Sequence, residues 1–188
     1  MKVLLCGDSF SADYTVKDKS SNGWPTLLAN DVDLTNVSRA GASEYRIWRQ
    51  LRDNLNDSYD AVIISHTSPY RIYVESHPLH YDNPLYQECD LIYSDIKDRG
   101  LEHIERWFEE CFNEEHAIDI HQLLMSDMAR MCEKHKTFHL GHLDISAPDS
   151  FEFVDLSGIW KVNPGRVNHY DDKGNQIVYV KLRDMLCG

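Results

Sequence analysis

The sequence predicts an α/β fold in which a central parallel sheet is covered by helices on both faces. Three observations lead there. Val3-Leu4-Leu5-Cys6 and Ala61-Val62-Ile63-Ile64 are short, nearly continuous apolar runs, the pattern of strands buried on both faces. Stretches with apolar residues at helical spacing alternate with them, and a strand-helix-strand alternation brings successive strands back parallel. At 188 residues, the chain fits a single domain, and such a domain hides roughly 70% of its unfolded surface.

The elements follow in order. The first strand, Val3 to Cys6, stops at Gly7-Asp8-Ser9, a glycine that permits a tight turn followed by two residues that favour turns and caps. Ser11 to Asn22 is polar and reads as an exposed loop, and Trp24-Pro25-Thr26-Leu27-Leu28 starts a helix with proline in its first turn. Asp33 to Ser38 is a second strand, ending in the small residues Ala40-Gly41-Ala42. Ser43 caps a helix carrying Ile47, Trp48, Leu51 and Leu55, and Asp60 to Ser65 is a third strand that delivers His66-Thr67 to the same sheet edge as Ser9 and Gly41. Residues 71–95, rich in Tyr, His and Pro, form an irregular excursion. Two amphipathic helices follow, one through Leu101, Ile104, Trp107, Phe108 and Phe112, the other over Ile118 to Lys134. Lys136 to Gly141 and Phe151 to Val154 read as further strands, and Gln176 to Met185 as the closing helix.

Composition excludes several classes. Nineteen Lys and Arg against 31 Asp and Glu give a net charge of −12, which repels phosphate backbones and argues against nucleic-acid partners. Arg46, Arg49 and Arg52 are the visible basic cluster and read as one solvated helix face. No apolar run reaches membrane-spanning length, and the first residues show no basic region leading into an apolar leader. The five cysteines are scattered and form no C-x-x-C pair, which speaks against a disulfide framework or a thiolate zinc site and for a reducing cytoplasm.

The carboxyl end of a strand in an open α/β sheet faces a ligand crevice, so Ser9 is a candidate nucleophile. A plain turn cap is the competing reading. A serine needs a base, and His169 lies in the polar loop Val167 to Asn175, just before the last helix and beside the first strand if the sheet is wound as expected. Gly41 sits where a backbone N–H can approach an oxyanion.

These blocks together resemble the SGNH/GDSL hydrolases. The family's nucleophile block is matched by Gly7-Asp8-Ser9, its oxyanion glycine by Gly41, and its C-terminal histidine by His169. The resemblance implies a single three-layer domain over 1–188 with a flavodoxin-like parallel sheet. It also implies a serine-dependent hydrolase of acyl or O-acetyl esters of lipids, sugars or small molecules, working without a cofactor or metal. Ser9 and His169 would be catalytic, and Ser9, Gly41 and Thr67 would hold the oxyanion. The sequence departs from the family twice. Thr67 stands at the family's asparagine, with Arg71 nearby as a source of charge, and Arg166 stands at the family's acid. Asp8, Asp155, Asp171 and Asp172 are the carboxylates near enough in sequence to support the site, or Ser9 and His169 work as a dyad. The alternatives are a catalytically impaired binding protein, an assembly protein using the 71–95 excursion, and a metal-dependent hydrolase built on His77 and His80 or on His139 and His142 with Asp144.

Overall fold

The computed structural model describes residues 1–13, 22–80, 89–148 and 151–188. Most of the loop expected between Ser11 and Asn22, and part of the 71–95 excursion, therefore lie outside the described residues. Five strands form one parallel sheet in the order β2-β1-β3-β4-β5. They are β1 (Lys2–Gly7), β2 (Asp33–Asn36), β3 (Ala61–His66), β4 (Lys136–Gly141) and β5 (Phe153–Asp155). This is the flavodoxin-like doubly wound order, and its switch point lies where the winding reverses around β1.

The central strands are where the sequence is most apolar, for a physical reason. Val3, Leu4, Leu5 and Cys6 in β1 and Ala61 to Ile64 in β3 are wholly buried because helices cover both sides of the sheet. Alternate residues feed two cores. Val3, Leu5, Ala61 and Ile63 pack with Trp24 and Leu28 of α1 (Trp24–Leu28) and with Val178 and Leu182 of the last helix. Leu4, Cys6, Val62 and Ile64 pack with Ile47 and Leu51 of α2 (Glu44–Asn54) and with Met128 near the end of a long helix. Parallel register pairs Gly7 with Ser65, and Gly141 with His66, so the ends of β1, β3 and β4 fall on one edge. Gln50 clamps the end of β1: its side-chain oxygen accepts the Gly7 N–H at 2.8 Å and its amide donates to the Gly7 carbonyl.

Beyond β3 the chain makes an antiparallel bridge between Ile72 and Leu91, then α3 (Tyr93–Ile96), α4 (Glu102–Glu110) and α5 (Glu114–Met131). Helix α5 starts four residues before the apolar periodicity does. Asn113 caps it through the His116 N–H, and Glu114 and Glu115 fill its first turn, favourable next to the positive helix end. The closing helix likewise starts earlier than expected, since Asp171 caps the Gly174 N–H and α7 spans Asp172–Cys187. Three short elements were not foreseen: α3, at the end of the expected excursion, α6 (Ser157–Val162) and β6 (Pro164–Val167), the last outside the five-stranded sheet. Arg46 corrects the expectation of a solvated basic face. Its guanidinium turns inward and is paired at 2.6 Å with Asp90, whose side chain is wholly buried. No helix among the described residues is long and apolar enough to cross a membrane.

Candidate active site

The turn that carries Ser9 is built by Asp8. Its carboxylate accepts the Phe10 N–H at 2.9 Å and its carbonyl accepts the Ser11 N–H, so the chain reverses at once after β1 and Ser9 stands at the corner, half-buried. At the other end of the chain, β6 and the residues after it form a narrow hairpin, with Val167 and Tyr170 bridged antiparallel across Asn168 and His169. Both of these residues have positive φ, 51° and 62°, as the two centres of a type I′ turn require. Asparagine tolerates that conformation better than most residues, whereas histidine at the tip is strained. Gly165 permits the hairpin, since a Cβ there would run into the Tyr170 carbonyl. The strain is held by contacts with the loop that carries Ser9. The Asn168 amide donates to the carbonyls of Ala12 at 2.9 Å and Ser9 at 3.3 Å, and the His169 ring packs against Phe10.

This clamp brings His169 Nε2 to 2.7 Å from Ser9 Oγ, across 160 residues of sequence. Burial, helped by the positive charge of Arg71, holds the His169 pKa below its ordinary value, so the ring is neutral and able to take a proton at neutral pH. Gly41 also has a positive φ, 74°, and a Cβ there would strike Cys89. The 89–90 segment thus fits against the turn after β2, where the Asp90 N–H donates to the Gly41 carbonyl at 2.8 Å. The N–H groups of Ser9 and Gly41 have no acceptor among the described residues.

The supporting residues are arranged differently from the sequence expectation. Thr67 is buried, and its hydroxyl donates to Asp8 at 2.8 Å, so its one proton is engaged and it is not a free oxyanion donor. Burial raises the Asp8 pKa to about 6, against the pull of the Phe10 and Thr67 hydrogen bonds and of Arg71. None of the carboxylates considered for His169 reaches it. Asp155 accepts the Ser157 N–H, Asp171 caps α7, and Asp172 is exposed in the first turn of that helix. Among the described residues no carboxylate is paired with the Nδ1 of His169. Arg71 is anchored on the Asp90 carbonyl at 2.9 Å. In one of the two histidine pairs considered for metal binding, His80 Nδ1 bonds the His77 carbonyl at 2.6 Å, and the members of the other are engaged separately, His139 with His66 and His142 with the Tyr170 hydroxyl. No group of three or more metal-ligating side chains gathers among the described residues.

Sequence reasoning missed a second cluster beneath the end of β3. The Glu44 carboxylate, buried at the start of α2, contacts His66 Nδ1, His121 Nε2 at 3.1 Å and the Thr67 N–H at 3.2 Å. Burial alone would raise the Glu44 pKa, yet the two imidazoles outweigh it and hold the carboxylate ionised. Glu44 in turn raises the His121 pKa against its own burial. Nothing in the spacing of Glu44, His66, His121 and His139 marks them as neighbours, because four different elements supply them.

Sheet order and layering define the class of fold: the chain has the three-layer α/β fold of the SGNH/GDSL hydrolases. A particular likeness is to the psychrotrophic esterase EstA from Pseudoalteromonas sp., in a structure inhibited by monoethylphosphonate. It covers 97% of this chain and 94% of that one, at 15% identity and a TM-score of 0.53. A G-D-S-L family protein from Desulfitobacterium hafniense DCB-2 aligns over 95% of both chains at 14% identity, with a TM-score of 0.39. No protein-family model and no curated protein matches the sequence.

Proposed function

We propose that the chain is a serine-dependent hydrolase of acyl or O-acetyl esters of lipids, sugars or small molecules, acting through a Ser9–His169 dyad. The observation that carries this is the 2.7 Å contact between His169 Nε2 and Ser9 Oγ. His169 removes the hydroxyl proton as Ser9 attacks the ester carbonyl, and the N–H groups of Ser9 and Gly41 hold the oxyanion. The imidazolium then protonates the departing alcohol. Water, activated by the same ring, hydrolyses the acyl-enzyme and restores Ser9. The likeness in fold to an esterase supports the reading. Cys6, Cys111, Cys132 and Cys187 form no disulfide, which supports a cytoplasmic setting.

A second reading has its own observation. With no carboxylate on Nδ1 among the described residues and with Arg71 opposing positive charge on the ring, the imidazolium is less stabilised than in a triad. This favours slow turnover, or a crevice that only binds. A fluorophosphonate probe separates the two. Labelling that maps to Ser9 and disappears in Ser9→Ala and His169→Ala supports the dyad; a wild-type protein that stays unlabelled at Ser9 leaves the binding protein.

A further inference from the structure

The catalytic candidates leave unused a cavity of about 400 Å³ lined by Ser43 to Tyr45, the loop from Pro69 to Tyr73, and helices α4 and α5. Its walls are mainly apolar, with Trp107, Phe112, Ile120 and Leu124 among them. On α5 the lining residues Ala117, Ile120 and Leu124 recur every three or four positions from the cap at Asn113, so one helix face is turned to it. The surface adds an independent sign. Of nine large hydrophobic residues exposed among the described residues, four line this one cavity: Tyr45, Tyr73, Trp107 and Ile120. Such a concentration marks a binding surface, and the volume suits a small organic group.

The chain path ties the cavity to Ser9. Strand β1 lies between β2 and β3, so Ser9 is flanked by the turn at Gly41 and by Thr67. Two residues past Gly41 the chain reaches Ser43, and two past Thr67 it reaches Pro69, both on the cavity wall. Arg71 lines the cavity, and its charge acts on His169 and Asp8. Of the charged groups in the lining, Glu44 is paired with His121, and Arg71 Nη1 is held by the Asp90 carbonyl and by Asp95 outside the lining, while the buried Arg71 Nε has no partner among the described residues. An uncharged apolar occupant fits such walls better than an ionic one.

We infer that this cavity takes the apolar body of the ester, aliphatic or aromatic, whose carbonyl is presented to Ser9. The inference rests on the reading of Ser9 as nucleophile. Two series of substrates test it: p-nitrophenyl esters from acetate to octanoate, and acetates of alcohols from ethanol to octanol. Each buried methylene is expected to raise kcat/KM about fourfold until the cavity is full. The series that rises identifies which side of the ester enters. Ala117→Trp and Ile120→Trp, at a half-buried and an exposed position, fill the cavity from α5 and should flatten the rising series. Flat profiles in both wild-type series overturn the inference, as does an undiminished slope in a tryptophan variant that melts like wild type. Should the wild type hydrolyse no ester, the dyad reading fails, and the cavity is then read by itself on Ser9→Ala protein with the neutral fluorophore N-phenyl-1-naphthylamine. Saturable binding that 1-octanol displaces and Ala117→Trp abolishes keeps the apolar site; binding that is absent, or unchanged in Ala117→Trp, removes it.

Discussion

Two histidine clusters lie at the same edge of the sheet and are built in opposite ways. At Ser9 and His169 there is a hydroxyl on the imidazole and, among the described residues, no carboxylate behind it. At Glu44 there is a buried carboxylate with imidazoles on both sides. The difference teaches that a carboxylate-histidine contact is not in itself a sign of catalysis. Glu44 ties α2 and α5 to the end of β3: it bonds the Thr67 N–H, and its partner His121 reaches the Thr67 carbonyl at 2.9 Å. His169 stands instead on a strained hairpin tip, where strain persists only if surrounding contacts hold it. On the proposed reading, one cluster holds structure and the other holds the Ser9–His169 pair in a reactive geometry.

The contrast makes its largest prediction for activity. His169→Ala is expected to lower kcat/KM for a p-nitrophenyl ester by about a thousandfold or more while leaving the melting temperature near that of wild type. Glu44→Ala should do the reverse. Stranding two buried imidazoles costs about 3–5 kcal/mol, or a fall in Tm of roughly 6–20 °C by calorimetry. A Glu44→Ala protein that melts like wild type would sink the structural assignment of that cluster. Asn168→Ala comes next. It removes the amide bonds to Ser9 and Ala12 and places a less tolerant residue at positive φ. A loss of about 1–3 kcal/mol in chemical denaturation is expected, with a lower kcat and little change in KM.

The pH dependence divides the clusters more finely. On the proposed reading His169 must be neutral to act, and its folded pKa is lowered by burial and by Arg71, so the midpoint of the acid limb of kcat/KM should lie below pH 6.5. Arg71→Gln removes a positive charge that opposes protonation, so the decline should begin at higher pH; an unmoved limb would show that Arg71 does not act on the ring. Stability has its own acid limb. Burial pushes His139 and His142 down to about 3, so the unfolded chain takes up protons first as pH falls below 6.5, and the fold loses free energy from there toward about pH 3. Glu44, held below its ordinary pKa, adds to that loss once pH falls below 4.5. His121 works the other way, since its raised pKa gives stability that is present below 6.5 and lost as pH rises through the folded value. Denaturant midpoints across pH 3 to 8, in wild type and Glu44→Gln, measure these opposed slopes.

Much of this protein was legible from local pattern. The apolar runs at Val3 and Ala61 and the helical spacing from Ile47 to Leu55 required only near neighbours to interpret, because burial on two faces or one leaves a periodic trace. Helix starts were less legible: α5 and α7 begin on polar capping residues that carry no apolar period. The short Pro164–Val167 strand escaped because its period never repeats. At the site, Gly7-Asp8-Ser9, Gly41 and His169 were visible as turn residues at element ends.

Sequence alone thus determined the alternation of elements and the residues that end them, since both follow from interactions a few positions apart. Tertiary structure alone decided which partners those residues found: that the Thr67 proton goes to Asp8, that Arg46 turns in to Asp90, and that Glu44 meets two histidines while His169 meets no carboxylate among the described residues. These contacts, together with that of His169 on Ser9, join residues from 22 to 160 positions apart, and hydrogen bonds act over about three ångströms. No pattern along the chain encodes a separation that only the winding of the sheet brings to contact.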